Sequence, residues 1–154
     1  MSDNKNSSLG ERAKAAVREA YRRFGASDPS ANPIFTDEMY DLLQEQDPHT
    51  RDPLCLFHYF GILGGDWYVY GAEKLGPKAI GRITGESAAG MIHFWAFACL
   101  GDSATAEAGL VPLDKAGGMG LRDIRAPFPG MAAVELDRYY SPRLLSVVWR
   151  SIKR

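Results

Sequence analysis

A chain of 154 residues with 45% apolar side chains has the length of one domain. It can bury about two-thirds of its unfolded surface, so it needs no metal or disulfide staple to fold. Eighteen basic and 19 acidic residues leave a formal charge of −1, which gives no global drive toward nucleic acid or a membrane surface. The longest apolar run, Met91 to Leu100, is interrupted by His93 and is too short to span a bilayer.

The N-terminus (Met1-Ser2-Asp3-Asn4-Lys5-Asn6) lacks the basic-then-apolar pattern of a secretory signal, and residues 1–8 read as a disordered tail. Ser8-Leu9-Gly10-Glu11 then matches a capping box. Ala13, Ala16, Val17, Ala20, Tyr21 and Phe24 follow at helical spacing, with Gly25 placed for a left-handed C-cap. Arg12, Lys14, Arg18, Arg22 and Arg23 load the opposite face, so residues 9–24 form a basic amphipathic helix or arm. Gly25 to Pro33 is loop chemistry suited to a hinge. A second helix is expected from Thr36, with Asp37 and Glu38 at its positive end. Phe35 and Tyr40 have the spacing of a hydrophobic staple, and Met39, Leu42 and Leu43 face the core.

From Pro53 the texture changes to strands. Leu54–Phe60 and Trp67–Tyr70 read as an aromatic hairpin around a glycine-containing turn. Ala79–Thr84, Met91–Leu100 and Gly109–Leu113 are further strands. Met131–Tyr139 alternates, with Ala132, Val134 and Leu136 on the covered face and Glu135 and Asp137 on the wet one. Ser141-Pro142 has the form of a helix start, followed by Leu144, Leu145, Val148, Trp149 and Ile152 on one face. The expected architecture is α+β: two N-terminal helices, a mostly antiparallel sheet of five to six strands, and a C-terminal helix packed on it. Residues 34–154 would make a single domain.

Catalytic chemistry is sparse in this pattern. Cys55 and Cys99 lie in apolar runs and read as buried free thiols in a reducing compartment. His49 sits in a polar loop. His58 and His93 fall in mid-strand, where a lone histidine is ordinarily a hydrogen-bonded core residue. A zinc site would need their strands to be neighbours with a cysteine close by, and no paired-cysteine spacing supports it. Ser87 lacks the Gly-x-Ser-x-Gly turn of a nucleophile. The Gly117–Gly120 loop lacks the Lys-Ser/Thr of a phosphate cradle and reads as a plain turn. No metal or cofactor is expected. Glu135, Asp137 and Arg138, beside Tyr139 and Tyr140, are either a solvated strand face or a recognition patch, since Tyr and Arg are favoured interface anchors.

Three segments, in order, resemble a family. They are Phe35-Thr36-Asp37-Glu38-Met39, then Asp52-Pro53-Leu54 with Asp66-Trp67-Tyr68-Val69. The third is Val134-Glu135-Leu136-Asp137-Arg138-Tyr139-Tyr140-Ser141-Pro142 leading into Leu144-Leu145-Ser146. Together they are similar to a bacterial family of small domains of unknown function carried on plasmids, conjugative elements and phages. The resemblance covers about residues 34–148. The basic helix lies outside it, Lys78–Gly90 looks like an insertion, and the family's acidic-aromatic motif is blurred to Gly109–Asp114. The family has no established activity, so no catalytic residue carries over.

The resemblance implies the company of anti-restriction and anti-CRISPR genes, and so a non-catalytic accessory protein in the cytoplasm of a bacterial host. It would bind and inhibit a host defence protein or ribonucleoprotein complex, such as a CRISPR or restriction effector. Arg18, Arg22 and Arg23 of the first helix and Glu135, Asp137 and Arg138 of the last strand are its expected contacts. The arm also suits homodimerisation. Two readings compete. A small nuclease or modifying enzyme would place His58 and His93 in one accessible pocket. A nucleic-acid-binding module would use the basic helix and show steep salt dependence.

Overall fold

Ten principal elements follow one another in the computed structural model: α1 (Ser2–Phe24), α2 (Asp37–Leu43), β1 (Leu54–Cys55), β2 (Phe57–Gly61), β3 (Asp66–Lys74), β4 (Ile92–Cys99), β5 (Glu107–Pro112), β6 (Val134–Leu136), β7 (Arg143–Leu144) and α3 (Leu145–Ile152). The structure describes residues 2–25, 33–80, 87–114, 120–124 and 133–153, with residues 2–7 described as backbone only. The fold is α+β. A five-stranded sheet runs β5-β4-β3-β2-β6, with every neighbouring pair antiparallel. β1 and β7 form a separate antiparallel ribbon.

The central strands lack a clean polar alternation because both faces of the sheet are covered. On the first face, Leu9, Ala13, Ala16, Val17 and Ala20 of α1 and Met39, Leu42 and Leu43 of α2 pack with Phe57, Tyr59, Val69, Phe94, Ala96 and Leu136. On the second, Val148 of α3 joins Cys55, Tyr70, Phe97 and Ala106 in a smaller core. α1 therefore spends its apolar stripe on its own sheet and is not an arm. It also starts at Ser2, so Ser8 lies within the helix and caps nothing, and residues 2–8 are helical in place of the expected tail. Residues 26–32, the core of the expected hinge, lie outside the described residues.

α2 follows its sequence signals. The Thr36 hydroxyl accepts the Met39 amide (3.2 Å), and Phe35 meets Tyr40 edge-on at 6.5 Å. The apolar run Leu54–Phe60 does not form one strand. It breaks at Leu56, sending Leu54–Cys55 to pair with Arg143–Leu144 and Phe57–Gly61 into the main sheet. That pairing also displaces the C-terminal helix start. Residues 143–144 are strand, and α3 begins at Leu145, past the expected Ser141-Pro142 cap. The capping is supplied from afar: the Asp52 carboxylate accepts the Ser146 amide (2.8 Å) and hydroxyl (2.6 Å). Of the expected strand at Ala79–Thr84 only the bridge Ile80–Ser87 is seen, and residues 81–86 lie outside the described set. Met131–Tyr139 contracts to Val134–Leu136, and residues 117–119 of the glycine loop are not described. No helix among the described residues is long and apolar enough to cross a membrane.

The β3–β4 ladder slips between Val69 and Gly71, leaving Tyr70 as an extra, unpaired residue. Gln46 closes the gap. Its amide NH₂ donates to the carbonyls of Tyr70 (2.9 Å) and Leu54 (2.6 Å), while its oxygen accepts the Leu54 amide (3.0 Å). One side chain thus satisfies the backbone groups that the bulge and the end of β1 leave over. Gly71 is required by the same bend, because a Cβ there would lie 2.6 Å from Cβ of Pro48 and 3.2 Å from Cβ of Trp95. Gly71→Ala is expected to cost about 1–3 kcal/mol through overpacking, read as a lowered midpoint in urea denaturation.

Both cysteines are free; Cys55 is buried and Cys99 half-buried. Burial pushes the Cys55 thiol up to about 12. At pH 8, a thiol reagent should therefore label Cys99 alone, with Cys55 reacting only in denaturant. A raised folded-state value means that this contribution is intact below the ordinary thiol range, near 8.5, and is lost as pH climbs toward 12. Alkaline titration should accordingly weaken the fold.

Candidate functional site

The second face of the sheet carries a polar centre that its apolar surroundings conceal in the sequence. The β2–β3 register sets His58 opposite Tyr68 and Phe60 opposite Asp66. β6 lies on the other side of β2, and the Asp137 amide continues that ladder by donating to the His58 carbonyl (2.8 Å). Two carboxylates thereby converge on one imidazole: His58 Nε2 is 2.7 Å from Asp66 Oδ1, and Nδ1 is 2.8 Å from Asp137 Oδ2. The ring stacks on Tyr68 at 4.4 Å with planes 16° apart, and its side chain is only 11% exposed.

A doubly protonated ring donates to both carboxylates, whereas either neutral tautomer donates to one. With both nitrogens occupied, the closed clamp presents no lone pair to a metal or substrate. Tyr140 lies 5.6 Å from the imidazole, and its hydroxyl donates to the Cys55 carbonyl (2.9 Å). Burial pushes the Tyr140 phenol upward, with Arg143 opposing, so it remains a donor. The arrangement is a mechanical joint of β2, β3 and the end of β6.

The joint positions a cleft beyond it. Arg18, Tyr21 and Arg22 are spaced three and four apart and share one face of α1. Arg138 and Tyr139 lie in the turn after β6. The five residues line a cleft of about 440 Å³. The Tyr21 hydroxyl donates to the Leu136 carbonyl (2.5 Å), anchoring α1 to β6. Burial, with the charge of Glu135 behind it, pushes that phenol up and keeps it protonated. The Arg138 guanidinium sits 4.7 Å over the Tyr21 ring and 5.7 Å from Tyr139. Asp137 Oδ1 accepts the Tyr139 amide (2.9 Å), so one carboxylate holds His58 with one oxygen and the cleft's turn with the other. Arg22 is paired with Glu19 (2.5 Å). Arg18 has no ion-pair partner among the described residues, and Tyr139 is 85% exposed.

Of the six contacts expected from sequence, the structure brings Arg18, Arg22 and Arg138 together. Arg23 lies over Phe24 (5.1 Å), outside the lining. Glu135 is half-buried on β6. Asp137 is not a free surface charge, because one of its carboxylate oxygens is held by His58. Asp66, Tyr21 and Tyr139 were not among those contacts. Asp66 was legible in principle, since a four-residue hairpin loop after Gly61 sets it beside the strand's histidine. His58 and His93 do not share a site. β3 separates their strands, and spacing and rise put them on the order of 16 Å apart. Both ring nitrogens of His93 are buried without a hydrogen-bond partner among the described residues. No group of three or more His, Cys, Asp or Glu able to hold a metal occurs among the described residues. A second cleft, about 430 Å³, lies between Arg51, Asp52 and the outer face of α3 at Trp149 and Arg150.

Replacing His58 with Leu keeps the volume but leaves Asp66 and Asp137 without their shared donor. The expected loss is about 2 kcal/mol in urea denaturation. Adding Asp137→Asn should recover part of it by removing one of the facing charges.

Comparison of the chain with protein-family models, curated proteins and solved structures returns no match.

Proposed function

We propose that this chain is a non-catalytic recognition protein that docks an acidic surface of a partner into the cleft of Arg18, Tyr21, Arg22, Arg138 and Tyr139. The supporting observation is the composition and setting of that cleft: three guanidinium groups and two phenols converge, and no carboxylate is among the described residues that line it. Arg and Tyr dominate interface energetics because they offer large contact area with directed hydrogen bonds. The fork of Arg matches carboxylates bidentately. Here two of the anchors are already held in place by Leu136 and Tyr21, which lowers the ordering cost of binding.

The likeness of residues 34–148 to domains carried on plasmids and phages directs the choice of partner. A mobile-element accessory protein gains most by occupying a host defence complex, so a CRISPR or restriction effector is the partner class, met in the bacterial cytoplasm. The exposed Tyr139 beside Arg138 also suits stacking of a nucleic-acid base, the competing occupant of the same cleft.

Affinity measured against purified CRISPR and restriction effectors tests the proposal. Arg18→Glu with Arg138→Glu should weaken binding by about 10–100-fold, with unchanged thermal stability. No binding to any effector, together with unchanged plasmid or phage survival, would sink it. A single-stranded oligonucleotide shift that falls steeply with salt and vanishes in the same variant would transfer the cleft to nucleic acid.

A further inference from the structure

We propose that β5 is a self-pairing edge, at which two copies of this chain join antiparallel across a twofold axis centred on Leu110. β5 ends the sheet on the side away from β6. The direction of its backbone groups follows from the flanking hydrogen bonds. The Leu75 amide donates to Met91 (2.9 Å) and the Leu113 amide to Ile92 (3.0 Å). Antiparallel pairing alternates, so the odd-numbered residues of β4 bond to β3 and the even-numbered ones to β5. Glu107, Gly109 and Val111 therefore turn their amides inward to β4. The amides of Ala108 and Leu110, and the carbonyls of Ala108, Leu110 and Pro112, turn outward, where no hydrogen bond to a described residue meets them. Leu110 is also 44% exposed.

Natural edges of this kind are ordinarily blunted by lysine, by a mid-strand proline or by an inward-pointing charge. β5 has none of these in its middle. Its charge, Glu107, stands at the start and its proline, Pro112, at the end.

The pattern is complementary to itself. With the axis at Leu110, the two Leu110 residues exchange amide and carbonyl. Each Ala108 amide meets the carbonyl of the copy's Pro112, the one outward group that proline still offers. About four backbone hydrogen bonds result, and the exposed Leu110 side chains close on each other. Glu107 falls opposite the copy's Leu113, so no like charges face. A foreign strand would find no charge here to select it, whereas a second copy satisfies the edge with its own register. The inference does not depend on the cleft, which lies at the opposite edge of the sheet beside β6.

Sedimentation equilibrium of the full chain tests it. A concentration-dependent dimer is expected. Leu110→Pro deletes an outward N–H that takes no part in the β4 ladder and should weaken the dimer about tenfold or more. In a Cys99→Ala background, Leu110→Cys should form an intermolecular disulfide under mild oxidation, because directly paired Cα atoms lie about 5.5 Å apart. Gly109→Cys, facing the other side of the strand, should not. A chain that stays monomeric at hundreds of micromolar with Leu110→Cys reduced would overturn the proposal. So would a dimer indifferent to Leu110→Pro whose Leu110→Cys form does not cross-link.

Discussion

One imidazole holds three strands in register on the second face of the sheet. His58 belongs to β2, Asp66 opens β3, and Asp137 follows β6, so the two hydrogen bonds of a single ring join what the backbone ladder alone would leave as a short, three-residue edge pairing. Its neighbours depend on it in turn. Tyr68 stacks on the ring, Tyr140 packs against both, and the second oxygen of Asp137 fixes the turn that presents Arg138 and Tyr139. A polar ring this deep is costly unless each of its nitrogens is met, and here each is.

Gln46 plays a comparable part in the middle of β3, where the extra residue Tyr70 would strand a carbonyl. The glutamine meets the Tyr70 carbonyl that the bulge frees and both backbone groups of Leu54. These two side chains, one imidazole and one amide, each meet several polar groups within surroundings that are largely aromatic and aliphatic.

Much of the architecture was legible locally. Thr36 caps the helix that its threonine-acidic pattern announces, the hairpin of β2 and β3 follows its aromatic runs, and α1 shows the stripe it buries. What escaped reading depends on contacts between distant segments. Leu54–Phe60 looks continuous because nothing nearby records that Leu54 pairs with Leu144. Ser141-Pro142 has every local mark of a helix start, yet the ribbon with β1 claims the following residues and Asp52 provides the cap. The arginines of α1 and of the last strand stood out as charges but not as neighbours, since Tyr21 and Leu136 are 115 positions apart. His58 was legible as a satisfied core histidine; Asp66 lay within local reach of it, but Asp137, 79 positions away, did not. The aromatic strand pair proves to be scaffold, and the chemistry on it is the hidden clamp.

The order of the elements along the chain has a kinetic consequence. The first helix, the clamp and the ribbon all wait for residues near the C-terminus: Tyr21 for Leu136, His58 for Asp137, and Leu54 for Leu144. A chain emerging from the ribosome can assemble β2, β3, β4 and β5 by successive hairpins. It cannot close the β6 end of the sheet until residues 134–137 are available. Such long-range closures are entropically expensive and slow. Residues 136–144 supply the partner in all three closures, so that one short stretch is the fastening of the fold.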